Sequence, residues 1–280
     1  MTDGVALLPP VAEMMRNAGL MPKKRFGQNF LFDLNLTGRI ARSVPDIVHT
    51  PVIEVGPGPG GLTRALLLAG AVHVIAIEMD KTTAPILSQI VDAADGRLDV
   101  IYDDATRVDF AKLGLGGYAI CANLPYNVGT ELLITWLHTA FDQIRENRKS
   151  VIKSMTLMFQ REVADRIIAR CGDAAYGRLG VLTSLVADAR ILFDVPNTAF
   201  FPMPRVQSAV VQIIPRADKI AKISDLGAVE NVTAKLFGMR RKMIRGIMPN
   251  VNWENFGLSG TERAENLPPE KFAEIAKNLL

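Results

Sequence analysis

The sequence predicts an α/β fold, a mostly parallel sheet with helices on its faces, followed by a small C-terminal helical domain. Two observations predict it. From Pro51 onward short β-rich runs alternate with helical stretches, and after Pro215 the spacing turns helical with Lys and Arg interleaved. The expected strands are residues 52–55, 72–77, 98–101, 118–122 and 154–159. None alternates cleanly between apolar and polar, as befits strands buried on both faces. Residues 189–193 and 208–214 add two more, joined by a connection without an evident helix, and fit an antiparallel hairpin at the sheet edge. Helices are expected at 229–237, 239–248 and 268–280, punctuated by Pro249 and the Pro268-Pro269 pair, because proline cannot continue a helix interior. The chain then divides into a loosely held extension at 1–20, an α/β domain at 21–215 and a helical domain at 216–280.

Composition narrows the function classes. A chain of 280 residues that is 49% apolar can bury a substantial core, which argues against disorder. No apolar run approaches the roughly 18 residues of a membrane span, and the start lacks the pattern of a signal peptide, so a cytoplasmic protein is expected. Cys121 and Cys171 are the only cysteines, and His49, His73 and His138 are scattered, so no disulfide framework or metal site is expected. Residues 46–144 carry five Lys/Arg against twelve Asp/Glu, a balance of −7 that leaves +10 for the rest of a chain whose net charge is +3. Basic segments framing an acidic module favour a polyanionic partner, since phosphate neutralisation releases counterions. Lys23, Lys24 and Arg25 form one cluster; Arg240, Arg241, Lys242 and Arg245 form a second, with Arg241 and Arg245 one helical turn apart on the expected helix. Solvated helix charge is the competing reading of the second cluster.

A cofactor site is readable at the first strand. Val52-Ile53-Glu54-Val55 runs into Gly56-Pro57-Gly58-Pro59-Gly60-Gly61, a buried strand followed by a glycine-rich turn that opens a helix. The next strand ends at Glu78, 22 residues after Gly56, the spacing at which a carboxylate meets ribose hydroxyls. Prolines between the glycines remove amide donors that a pyrophosphate would use, so a ligand without phosphates is favoured, and S-adenosylmethionine fits. A nicotinamide dehydrogenase is the competing enzyme reading. Asp103-Asp104-Ala105 follows the third strand, where one of the two aspartates could accept from an adenine amino group or, equally, cap a helix.

Chemistry is suggested at the end of the fourth strand by Asn123-Leu124-Pro125-Tyr126, where open α/β sheets bind substrates. The Asn123 side-chain oxygen and the Leu124 carbonyl could accept N6–H bonds from an adenine and favour a pyramidal, lone-pair-bearing nitrogen. Pro125 would stiffen the turn and Tyr126 would stack on the base, with Phe200 as the candidate for the opposite face. An ordinary Asn-x-Pro turn with core aromatics is the plainer alternative.

These motifs, with Lys24-Arg25-Phe26-Gly27-Gln28-Asn29-Phe30-Leu31, Met158-Phe159-Gln160-Arg161-Glu162-Val163, Tyr176-Gly177-Arg178-Leu179 and residues 200–208, closely resemble the ribosomal RNA adenine N6,N6-dimethyltransferases, a family shared with the macrolide-resistance methylases. The likeness runs from about Lys23 to the C-terminus. It implies a Rossmann-like S-adenosylmethionine methyltransferase domain with a seven-stranded, mostly parallel sheet. It implies that Gln28, Asn29 and Leu31 fold over the methionine end of the cofactor, that Gly56 and Gly58 line it, that Glu78 takes the ribose and Asp104 the adenine, and that Asn123 stands at the interface with the target. The implied reaction is dimethylation of two adjacent adenosines near the 3′ end of small-subunit (16S) rRNA, within the assembling small subunit; nothing in the sequence points to more than a monomer. A ribosome-assembly factor in which binding outweighs catalysis is the alternative. Pro59, where the family commonly has a bulkier residue, and residues 1–20 depart from the shared pattern.

Overall fold

The computed structural model describes residues 3–21 and 29–279. Its strands are β1 (Phe30–Leu31), β2 (Val52–Val55), β3 (Val74–Ile77), β4 (Leu98–Ile101), β5 (Gly117–Asn123), β6 (Val151–Gln160), β7 (Ala187–Val195), β8 (Phe200–Phe201) and β9 (Ser208–Pro215). Its helices are α1 (Val11–Asn17), α2 (Leu34–Ala41), α3 (Gly61–Leu68), α4 (Ala84–Ala93), α5 (Gly129–Arg145), α6 (Arg161–Ile168), α7 (Arg178–Val186), α8 (Ala217–Ile220), α9 (Leu226–Phe237), α10 (Ile244–Ile247) and α11 (Pro269–Asn278). Seven strands form one sheet in the order β4-β3-β2-β5-β6-β9-β7. The first five are parallel to their neighbours and β9 is antiparallel to β6. This is the Rossmann-like sheet the sequence implies. Every residue of β2 and β3 is buried, which explains the absence of alternation in their sequences.

Strand order positions the site. The chain builds β2, β3 and β4 outward in one direction, then returns to place β5 and β6 on the other side of β2. The crevice beyond the carboxyl ends of β2 and β5 therefore lies at the reversal, where open α/β sheets take ligands.

Compactness divides the chain into two units. One comprises Met1–Leu132, Lys149–Arg161 and Ile191–Ile213, and the other Leu133–Arg148, Glu162–Arg190 and Ile214–Leu280. The second unit thus draws on segments well before residue 216. Within it Phe237 stacks on Phe272 at 5.6 Å, and the Tyr176 hydroxyl donates to the Leu267 carbonyl at 3.0 Å. Glu230 accepts from His138 at 2.7 Å and also binds Arg178.

Two segments differ from what their sequences predict. Residues 239–248 are not one helix: α9 stops at Phe237, and Met243 is extended and bridged to Arg263. The amides of Ile244 and Arg245 donate to the carbonyls of Glu262 and Gly260, at 2.9 and 3.0 Å, and are unavailable to an i−4 ladder. Arg241 and Arg245 therefore share no helical stripe.

Nor is the N-terminal extension, from Asp3 onward, loosely held. Val5, Val11, Met14 and Met15 are buried, and Asp3 pairs with Arg97 at 3.0 Å. Arg64 of α3, itself 3% exposed, donates to the carbonyls of Val5, Leu8 and Pro9. A buried guanidinium needs acceptors, and this segment supplies them. Arg64→Met should strand those carbonyls and destabilise the protein by about 3 kcal/mol, with faster tryptic cleavage after the exposed Arg16. Unchanged melting and unchanged cleavage would refute the pinning role.

Candidate functional site

A cavity of about 400 Å³ opens at the carboxyl ends of β2, β3, β4 and β5. The turn after β2 supplies its floor. Gly58 has φ +55°, and a Cβ there would meet the Phe30 ring at 2.8 Å; Gly60, with φ +85°, caps α3, and its Cβ would strike Ile90 at 2.3 Å. Both positions need glycine for conformation and for space. Above Gly56, by contrast, an added Cβ would meet nothing within 4 Å.

Glu78, just past β3, ties this turn in place. One carboxylate oxygen accepts from the Gly58 amide at 2.9 Å and the other from the Asp80 amide at 2.7 Å. Burial raises its pKa, and these amides only partly draw it back down. At the end of β4 both Asp103 and Asp104 line the cavity. Asp104 Oδ1 accepts from the amide and hydroxyl of Thr106, at 2.9 and 2.8 Å, which lowers its pKa. Asp104 thus caps a turn rather than a helix, and it also stands in the cavity wall.

At the end of β5, Asn123 Nδ2 donates to the Asn29 carbonyl at 3.0 Å. A carbonyl only accepts, so this bond fixes the amide orientation and makes Oδ1 the acceptor end. Leu124, Pro125 and Tyr126 continue the wall, and the Tyr126 hydroxyl bonds Ser208 Oγ at 2.6 Å, holding a half-buried ring at the cavity. Burial raises the Tyr126 pKa, so the phenol is neutral.

The structure brings together Asn29, Leu31, Gly56, Gly58, Glu78, Asp104, Asn123, Leu124, Pro125 and Tyr126. It does not bring Phe200. Leu31 pairs with Phe200 in the β1–β8 ladder, and the Phe200 ring is 5% exposed within the hydrophobic core. The exposed aromatic of that loop is Phe201, whose ring lies 6.1 Å from that of Phe32. Lys23, Lys24, Arg25 and Gln28 lie outside the described residues. Arg240, Arg241, Lys242 and Arg245 are exposed in the other unit, with Arg240 paired to Glu265 at 2.8 Å.

Sequence reasoning passed over Glu54, Met79, Asp80 and Glu131, which also line the cavity. For Glu54 a signal was available, a carboxylate inside an otherwise apolar strand two residues before Gly56. Six carboxylates and, among the described residues, no lysine or arginine face this space. Such walls suit a cationic ligand. Among the described residues no helix is long and apolar enough to cross a membrane.

Comparison with known proteins places this arrangement. Residues 20–280 match the family model described as ribosomal RNA adenine dimethylase. The chain is 48% identical over 278 residues to the ribosomal RNA small subunit methyltransferase A of Chelativorans sp. (strain BNC1), covering 97% of this chain and 98% of that protein. It is likewise 48% identical over 279 residues to the protein of that name from Brucella abortus biovar 1 (strain 9-941), covering 98% of each. Among solved structures it is similar to a dimethyladenosine transferase from Plasmodium falciparum, with TM-score 0.68 and 23% identity over 87% of this chain and 94% of that one. It is also similar to the 23S rRNA methyltransferase ErmE, with TM-score 0.66 and 23% identity over 90% of this chain and 99% of that one. At these identities the two structures speak to the fold alone.

Proposed function

The chain belongs to the ribosomal RNA adenine dimethylase family and is an S-adenosylmethionine-dependent rRNA methyltransferase; from that premise we propose that it dimethylates N6 of two adjacent adenosines near the 3′ end of small-subunit rRNA during subunit assembly. Near-full-length identity to proteins named for the small subunit supports the choice of RNA. The observation that carries the chemistry is the oriented Asn123 amide at the cavity wall.

The residues present suit the cofactor. A carboxylate-lined cavity matches its cationic sulfonium and ammonium groups, and the open space above Gly56 leaves room for close approach. Glu78 would take the ribose hydroxyls and Asp104 the adenine, while Asn29, Leu31, Gly56 and Gly58 would hold the methionine end, together with Gln28. Bound there, S-adenosylmethionine supplies an electrophilic methyl group.

The chain's own work is to aim a nucleophile at it. Asn123 Oδ1 and the Leu124 carbonyl accept the two N6–H bonds, which localises the lone pair on nitrogen and favours the pyramidal transition state. Tyr126, anchored by Ser208, stacks on the base, and Pro125 limits movement of the turn. The nitrogen becomes acidic as it gains the methyl and releases its proton to solvent, so positioning supplies much of the rate.

Arg240, Arg241, Lys242 and Arg245 of the C-terminal unit, with Lys23, Lys24 and Arg25, would contact phosphates. Incubating under-methylated small-subunit particles with the protein and isotope-labelled S-adenosylmethionine should yield N6,N6-dimethyladenosine in one RNA fragment by mass spectrometry. Label confined to large-subunit RNA, or found on another base, would defeat the proposal. In RNA titrations, alanine at Arg241, Lys242 and Arg245 should reduce the slope of log affinity against log salt by about 2 to 3; an unchanged slope would remove those contacts.

A further inference from the structure

Three phenylalanine rings step outward from the cavity, and the chemistry above uses none of them. Phe30 lines the cavity wall and packs against Gly58 of the turn after β2. Antiparallel pairing sets Phe201 directly opposite it across β1 and β8. Opposed residues in such a ladder project to the same side, as do residues two apart, so Phe32 joins them. The ring centres follow: Phe30 to Phe32 is 6.4 Å and Phe32 to Phe201 is 6.1 Å. Exposure rises along the series, from 7% at Phe30 through a half-buried Phe32 to 49% at Phe201. Met203 and Val206 of the same loop are exposed as well, and grouped exposed apolar side chains mark a surface that meets a partner. The ribbon is fastened to the Asn123 turn from both strands. The Asn29 carbonyl, next to β1, accepts from Asn123 Nδ2, and Ser208, at the start of β9, bonds the Tyr126 hydroxyl. Within the loop itself Asn197 Nδ2 donates to the Pro204 carbonyl at 3.3 Å.

The partner's chemistry follows from charge. Six carboxylates wall the cavity, so a phosphodiester is repelled from it while a neutral base is admitted. The backbone of a bound RNA therefore turns at the mouth, and the nucleotides flanking the entering base stay outside. Extrusion strips the neighbouring base of a stacking partner, a cost that a flat ring placed there offsets. Residues 196–207 supply the exposed Arg205 and no Asp or Glu, which suits a phosphate beside that base. We infer that Phe201, backed by Phe32, is the stacking platform for the base next to the reacting adenosine. It meets a π-face rather than a base edge, so it favours purines for their area and leaves sequence choice otherwise open. Where two adjacent adenosines react in turn, the one that waits occupies this platform while the other is in the cavity. Phe201 is thus a positioning residue, acting through the strand that presents the target and not on the donor or the reacting nitrogen.

The inference rests on the rRNA reading proposed above, and its failure is distinguishable from the failure of that reading. Under-methylated small-subunit particles are the probe, with KM and single-turnover rate measured for each variant. Phe201→Leu keeps apolar bulk but has no flat face, and should raise KM about tenfold. Its S-adenosylmethionine affinity and melting temperature should stay at the wild-type values, because the ring is half exposed and lies outside the cavity lining. Phe201→Trp restores a face and should bring KM back to within about twofold of wild type. The slope of log affinity against log salt should be the same in Phe201→Leu as in wild type, since no phosphate contact is lost, whereas Arg205→Ala should flatten it.

Particles carrying uridine in place of the base on one flank or the other of the reacting adenosine complete a double-mutant cycle, with methylation read at the adenosine that remains. On at least one flank the swap should cost wild type more than it costs Phe201→Leu. Additive losses on both flanks would overturn the inference. So would leucine performing as well as phenylalanine, which would assign the patch to apolar burial against a protein. Tryptophan failing alongside leucine, with cofactor affinity and melting temperature both lowered, would make the ring a prop of the fold and sink the inference equally. Particles left unmethylated by the wild-type protein would defeat the proposed function, and the platform with it.

Discussion

Replacing Asn123 with alanine is expected to lower kcat/KM for rRNA by about 10²–10³-fold, while S-adenosylmethionine affinity changes by less than about tenfold. The asymmetry follows from the hydrogen bond to Asn29. That bond occupies an N–H of the amide and leaves Oδ1 as an oriented acceptor, so on the proposed mechanism alanine removes an interaction that strengthens only as the adenine nitrogen pyramidalises. Asn123→Asp is expected to do no better. A carboxylate oxygen would then oppose the Asn29 carbonyl, acceptor against acceptor, and the side chain would turn away. Single-turnover methylation alongside calorimetric cofactor binding separates the two quantities. Loss of less than tenfold in single-turnover rate for Asn123→Ala would show that the amide oxygen does not hold the reacting nitrogen.

Much of this site was legible because its signals are local. The Gly56–Gly58–Gly60 turn, the interval to Glu78 and the strand-terminal Asn123 tetrad each depend on neighbours in sequence, and they converge because parallel strands end on one edge. What escaped was set by distant partners. Residues 239–248 have helical spacing, but the amides of Ile244 and Arg245 are taken by carbonyls of Glu262 and Gly260. The extension at 1–20 looks detachable until Arg64 is seen to be buried against its carbonyls. Strands β1 and β8 are two residues each, too short for any periodic signal. Phe200 and Phe201 are adjacent on such a strand, so their rings point to opposite sides, and no property of the dipeptide tells which one is buried.

Glu78→Ala is expected to weaken S-adenosylmethionine binding by about 100-fold, or ~2.8 kcal/mol, through two losses at once. The ribose would lose its acceptor, and the amides of Gly58 and Asp80 would lose theirs, freeing a turn that positive φ already makes demanding. Glu78→Gln should fall between, near tenfold, because its one oxygen can serve only one of the two amides while its NH₂ opposes the other. Stability should shift with pH in a definite sense. Burial raises the Glu78 pKa, so its favourable contribution is complete below about pH 4.5 and erodes as pH climbs through the folded value. Alanine should therefore cost more stability at pH 5 than at pH 8, as melting curves would read. Cofactor affinity equal to wild type in both variants would mean that the carboxylate merely shapes the turn and that the ribose is held elsewhere; a loss in alanine fully restored by glutamine would mean that its charge is dispensable.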